Sequence, residues 1–216
     1  MHADAVLARL AERRRGIVTY GELRAAGLTR RQIQRRTESG HLIRLHQGVY
    51  AVGHQYLGPL ARGEAAQLAA GPKSLLTHAY SLALHSVMPF PPTIDVTNPR
   101  GGARPPGLQV HQPRTLPPWT TKHGLRTTLL PQALLDFATV TTRDQLTQAV
   151  NQAYIGGKTN TKELRRIIER GHRGGVPLGY VIDGPRTRSN LERRLIALLE
   201  IARLPFFDDA NVKING

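Results

Sequence analysis

Apolar residues recur at helical spacing over residues 4–15, where Val6, Leu7, Leu10 and Ala11 share one face. Gly16 ends that pattern, and residues 17–18 form a short extended link. Thr19-Tyr-Gly-Glu22 has the form of a capping box that opens a second helix, since a threonine and a glutamate three apart satisfy each other's backbone N–H groups. That helix turns Leu23 and Ala26 inward and stops at Gly27, a residue suited to the left-handed position after a helix. Thr29 then caps a third helix over residues 30–39, with Ile33 and Thr37 on its buried side and Gly40 as its stop. Beyond Gly40 the period changes from 3.6 to 2. Residues 41–46 and 49–52 read as two strands, joined at Gln47 and Gly48. Three short helices followed by a two-stranded ribbon is the element order of a winged helix-turn-helix.

The remainder predicts an α+β organisation: a mixed α/β central domain, then a C-terminal helix. An alanine-rich helix is expected over residues 60–70, a strand over 74–77 and a helix over 78–86. A proline-rich break follows at residues 88–92. Strands are expected over residues 93–97 and 108–111, separated by a Gly/Pro/Arg loop, with another extended piece over 124–129. Pro131 sits in the first turn of a helix running to Thr139, where its missing N–H costs little. Helices follow over residues 143–155 and 161–170, a linker over about 171–185, and a strongly amphipathic helix over 187–203. The expected units are thus a DNA-binding domain (1–56), a central domain (57–172), a linker (173–186) and a terminal segment (187–216). No internal repeat is visible.

Composition narrows the class. Apolar residues form 40% of the chain and mean hydropathy is −0.32, values of a globular protein. The absence of cysteine removes disulfides, thiolate metal sites and cysteine nucleophiles, and fits a cytoplasmic protein. Residues 1–15 contain no apolar stretch of signal-peptide type, and no apolar run approaches the roughly 20 residues of a membrane span, so a soluble protein is expected. Charge adds more: 30 Lys and Arg against 15 Asp and Glu leave +15, and the isoelectric point is near 11.2. A field of that sign draws polyanions, above all nucleic acid. GC-rich coding DNA also enriches arginine, so the positions of the arginines decide the matter. Between Met1 and Arg62 stand eleven arginines and no lysine against four acidic residues, +7 of the +15 in less than a third of the chain.

The third helix concentrates them. Arg30, Arg31, Gln34 and Arg35 project opposite Ile33 and Thr37, and Gln32 stands at the margin of that face. Arginine forks to guanine O6 and N7 or to phosphate, and glutamine pairs with an adenine edge. With Thr29 at the helix start and Arg44 and His46 on the ribbon, these form the candidate double-stranded DNA contact. Other motifs carry less. Gly156-Gly-Lys-Thr159 looks like the end of a phosphate-binding loop, but Gln152 stands where its first glycine belongs and the segment lies between helices. The glycine-rich residues 171–179 lack the order of a dinucleotide fingerprint. His78 and His85 stand seven apart without a third ligand nearby, so structural histidines are expected, and Asp95 and Asp136 have no carboxylate partner in sequence. No catalytic residue, metal ligand or cofactor is assigned. Glu192, near the start of the last expected helix, is explained by capping and the helix dipole, or else as the first carboxylate of a metal-dependent nuclease.

The run from Ile17-Val-Thr to Gly48-Val-Tyr-Ala-Val-Gly53 resembles the N-terminal winged helix of AbiEi-type antitoxins of type IV toxin–antitoxin systems, which act in abortive phage infection. Gly27-Leu-Thr-Arg-Arg-Gln-Ile, Gly40-His-Leu-Ile-Arg-Leu and His46-Gln-Gly-Val-Tyr-Ala-Val carry the resemblance most strongly. Leu76-Thr-His-Ala-Tyr-Ser-Leu, Ile94-Asp-Val-Thr and Ala133-Leu-Leu-Asp-Phe-Ala extend it into the central region. The resemblance implies binding to inverted repeats in the protein's own promoter. It also implies opposition to an AbiEii-like nucleotidyltransferase toxin without a stable complex. Residues 187–216 look like the opening of a Vsr-like endonuclease domain, whose further acidic ligands this sequence does not reach; only Glu192 matches, and Asp208 and Asp209 fall before the strand concerned. The expectation is a DNA-binding regulator and not an enzyme, with a truncated, inactive nuclease as the alternative.

Overall fold

In the computed structural model, residues 3–53, 57–99 and 105–183 are described. Helix α1 (Ala3–Arg13) leads into β1 (Ile17–Thr19), α2 (Tyr20–Ala25) and α3 (Arg30–Glu38), then β2 (Leu42–His46) and β3 (Val49–Val52). Both capping boxes form: Thr19 with Glu22 at α2, and Thr29 with Gln32 at α3. The link before α2 is more than extended, because β1 pairs antiparallel with β3 and gives a three-stranded sheet of order β1-β3-β2. Leu7, Val18, Leu23, Leu28, Ile33 and Leu42 fill the core beneath the three helices. Leu23 and Leu42 are fully buried, each contributing about 1.5–3 kcal/mol. This unit is a winged helix-turn-helix.

Helix α4 (Pro59–Ala70) joins it to the central domain. Ala61 and Ala65 pack on Ile17, Val49 and Ala51 of the wing sheet, while Ala66 and Ala70 join Leu76, Tyr80, Ile94, Val96 and Leu125. Small side chains let one helix lie close to both layers. Gly63 is the extreme case: a Cβ there would stand 2.9 Å from Tyr80 Cε1 and 3.2 Å from Leu76 Cδ1. Arg15 clamps the same junction, donating to Glu64 at 2.6 Å and to the His123 carbonyl at 2.5 Å.

The central sheet runs β6 (Leu108–His111), β5 (Ile94–Thr97), β4 (Leu75–Leu76), β8 (Leu125–Thr128), β7 (Trp119–Lys122). The β5–β6 and β4–β8 pairs are parallel, and the other two are antiparallel. Strand β7 has no counterpart in the sequence reading. It is an edge strand with mostly exposed residues, so no alternation marks it, and its Trp119 ring lies under the Arg126 guanidinium at 4.6 Å. Helix α5 (His78–Leu84) separates the sheet from a helical layer of α6 (Leu130–Phe137), α7 (Arg143–Ile155), α8 (Thr161–Ile168) and α9 (Gly175–Asp183).

Helix α9 corrects the linker expected across its residues. Leu178 and Val181 are buried in the same core as Leu134, Leu146 and Leu164. Glycine serves close approach there, not flexibility, because a Cβ on Gly174 would fall 1.9 Å from the Leu135 carbonyl oxygen. The phosphate-loop-like segment also has a structural role. It caps α7, and Lys158 Nζ donates to the His85 and Ser86 carbonyls at 2.7 and 2.8 Å, tying the α7–α8 turn to the end of α5. The expected helix over residues 187–203, Glu192 and the nuclease-like segment lie outside the described residues.

Candidate nucleic-acid interface

Helix α3 owes its orientation to one buried residue. Ile33 is 3% exposed, and fixing it inward turns Arg30, Arg31, Gln34 and Arg35 to solvent, all four exposed. Thr37 completes the inner side, half-buried, with its hydroxyl donating to the Ile33 carbonyl at 3.0 Å. The turn before α3 is held by Arg24, whose Nη1 donates to the Leu28 carbonyl at 2.9 Å. Arg14, by contrast, is paired with Glu22 at 3.0 Å. Among the described residues, Arg30, Arg31, Arg35 and Arg44 have no acidic partner within ion-pair distance, so their donors are available to an anion from outside.

The wing completes the surface. Arg44 on β2 is exposed and stands opposite Tyr50 on β3, just before a register shift between Arg44 and His46 that bends the ribbon. Tyr20, Arg30, Ile33, Gln34, Thr37, Arg44 and Tyr50 line one groove of about 240 Å³. Arg44 of the wing and Arg30 and Gln34 of the helix therefore share one concave surface, with Arg31 and Arg35 on the adjoining convex face of α3.

Three expected contact residues have their groups engaged or muted. The Thr29 hydroxyl accepts from the Gln32 N–H at 3.2 Å, and the Gln32 side-chain oxygen accepts from the Thr29 N–H at 2.8 Å, so both side chains build the helix start. Gln34 Nε2 donates to Glu38 at 2.9 Å, which holds the amide along the helix. His46 is half-buried, its Nδ1 is buried without a partner among the described residues, and burial lowers its pKa. Its ring is thus neutral near pH 7 and adds no charge to the surface.

The structure also assembles a group that linear spacing kept apart. His78 of α5, Asp95 of β5 and His111 of β6 converge, and Asp136 of α6 and His172 stand beside them. Asp95 is not isolated, since His111 Nε2 lies 2.8 Å from its Oδ1. Asp136 accepts from the Thr77 hydroxyl and from Gln132 Nε2, each at 2.7 Å. Nor is His78 a satisfied core histidine, since its Nδ1 is buried without a partner among the described residues. Alternation offered one signal: in Ile94-Asp-Val-Thr97 and Leu108-Gln-Val-His111, Asp95 and His111 fall on the same side of two strands that pair in parallel.

Residues 6–53 match the family model of a transcriptional regulator, the AbiEi antitoxin. The match spans the winged helix-turn-helix, from within α1 to just past β3. No curated protein matches the chain. Among solved structures, the RV2827C protein from Mycobacterium tuberculosis is similar at 18% identity with a TM-score of 0.55, over 95% of this chain and 82% of that one. At that identity the likeness is one of fold. It extends well beyond the N-terminal unit.

Proposed function

We propose that the protein is an antitoxin-type transcriptional regulator that represses its own operon by laying α3 in the major groove of promoter inverted repeats. The observation that carries this is the set of four exposed arginines without acidic partners on α3 and β2, of which Arg30 and Arg44 line one groove and Arg31 and Arg35 stand on the adjoining face of α3. Arg31 and Arg35 reach base edges, Arg30 and Arg44 hold phosphate on either side, and the N-terminus of α3 adds its dipole. Thr29 and Gln32 act by fixing the start of that helix, and Gln34 reads an adenine edge once it leaves Glu38. His46 contributes shape to the wing and no charge. The operon partner is a nucleotidyltransferase-type toxin, counteracted without a stable complex between the two proteins.

Footprinting on the protein's own promoter tests the reading. A protected pair of half-sites is expected, with Arg31→Ala and Arg35→Ala each weakening binding by roughly 1–3 kcal/mol and relaxing discrimination at one base position. Unchanged gel shifts with both residues replaced would refute the assignment of α3 as the reading helix. Expression of the adjoining toxin gene with and without this protein tests the antitoxin role, and undiminished toxicity would remove it.

A further inference from the structure

We propose that His78, Asp95 and His111 form a binding site for a divalent transition metal of the Zn²⁺ class, beside a cleft that shares no lining residue with the groove between α3 and the wing. One donor atom from each residue lies within 4.8 Å of the other two. Tetrahedral Zn²⁺ with bonds of about 2.0–2.1 Å sets its donors about 3.4 Å apart, so small side-chain rotations close the set. Two imidazoles and one carboxylate are the nitrogen and oxygen donors such an ion takes, with further positions left for water or a ligand.

Several independent features prepare the site. His78 is 5% exposed, and a buried ring nitrogen without a partner is costly unless something outside the polypeptide satisfies it. Its backbone holds φ +51, a left-handed value at the first residue of α5 that few non-glycine residues adopt. The ring lies stacked on His111, centroids 4.1 Å apart, so the two imidazoles are already gathered. Thr77 fixes the start of α5 against β5 and α6 beside the three ligands. Thr77 N–H donates to the Asp95 carbonyl at 3.0 Å, and the Thr77 hydroxyl donates to Asp136. His78 and His111 open on a cleft of about 870 Å³, lined also by Gln132, Asp136, His172 and Arg173, which gives the ion an entry path.

The test is a Zn²⁺ titration by calorimetry of the full chain, stripped of metal beforehand, at neutral pH. One ion per chain is expected. Asp95→Asn and His111→Gln should each bind it at least ten-fold more weakly, while His41→Gln, at an exposed position far from the cluster in sequence, should bind it unchanged. Asp95 and His111 lie on strands and are partly exposed, so both variants should keep the circular dichroism of the parent; should one fail to fold, the other decides. Co²⁺ in place of Zn²⁺ gives a second readout, a visible absorption of low-symmetry coordination that both variants lose. Absence of saturable binding overturns the proposal and leaves His111 and Asp95 as a hydrogen-bonded pair. Undiminished binding in Asp95→Asn and His111→Gln overturns it too, assigning the ion to other histidines.

Discussion

His46 and His85 show how a side chain's surroundings decide what it can offer. Both are shielded from water, and burial lowers each pKa from the ordinary 6.5, although the Thr128 carbonyl bonded to His85 pulls the other way. A lowered folded-state value means that the unfolded chain takes up protons first as the solution acidifies. Stability is therefore intact above about pH 6.5 and declines as pH falls towards the depressed folded values. Urea midpoints measured from about pH 7 to pH 5 should fall, and NMR titration should place both rings below the ordinary histidine range; a flat midpoint with ordinary ring titrations would contradict this. The arginines follow the opposite logic. Arg14, Arg15 and Arg24 are held by Glu22, Glu64 and the Leu28 carbonyl, while Arg30, Arg31, Arg35 and Arg44 are left to solvent. Positive charge near the N-terminus is thus divided between holding the fold and facing a partner.

Elements in this protein are set either by local chemistry or by close approach, and the first kind was the easier to read. The caps at Thr19 and Thr29 concern residues three apart, so α2 and α3 were legible in sequence. Thr29→Ala should cost about 1 kcal/mol in urea unfolding and loosen the start of α3; an unchanged midpoint would mean that the cap is replaced by another donor pair. Helix α9 was hidden because its glycines look like a linker until Leu135 is brought against Gly174 by the rest of the fold. Gly174→Ala should destabilise by about 3 kcal/mol or more, because the added methyl meets a backbone carbonyl that cannot rotate away. Gly63→Ala should cost less, since helix propensity returns roughly 1 kcal/mol of the strain against Tyr80 and Leu76. Equal, small losses in both would contradict the close-approach account. Strand β7 escaped notice for want of a buried face, and the His78–Asp95–His111 cluster because its members come from three elements that only sheet pairing and the α5 turn bring together.

On the scale of the whole molecule, α4 makes the winged helix and the central domain share a packed boundary. Ala61 and Ala65 face one, Ala66 and Ala70 the other, and the Arg15–Glu64 pair closes the seam. The helix-turn-helix is thereby carried on a rigid base, with its arginine face on the side of α3 opposite the buried Ile33. A net charge of +15 attracts any polyanion, whereas under the proposed function specific binding passes through α3 and the wing. The salt dependence of binding to promoter duplex, followed by fluorescence anisotropy, tests that claim most directly. With Arg30 and Arg44 on phosphate, log affinity should fall against log salt with a slope of about −1.8 or steeper, and Arg30→Ala or Arg44→Ala should each make it shallower by about 0.9. A slope near zero, or one that neither substitution alters, would contradict a DNA interface built on these residues.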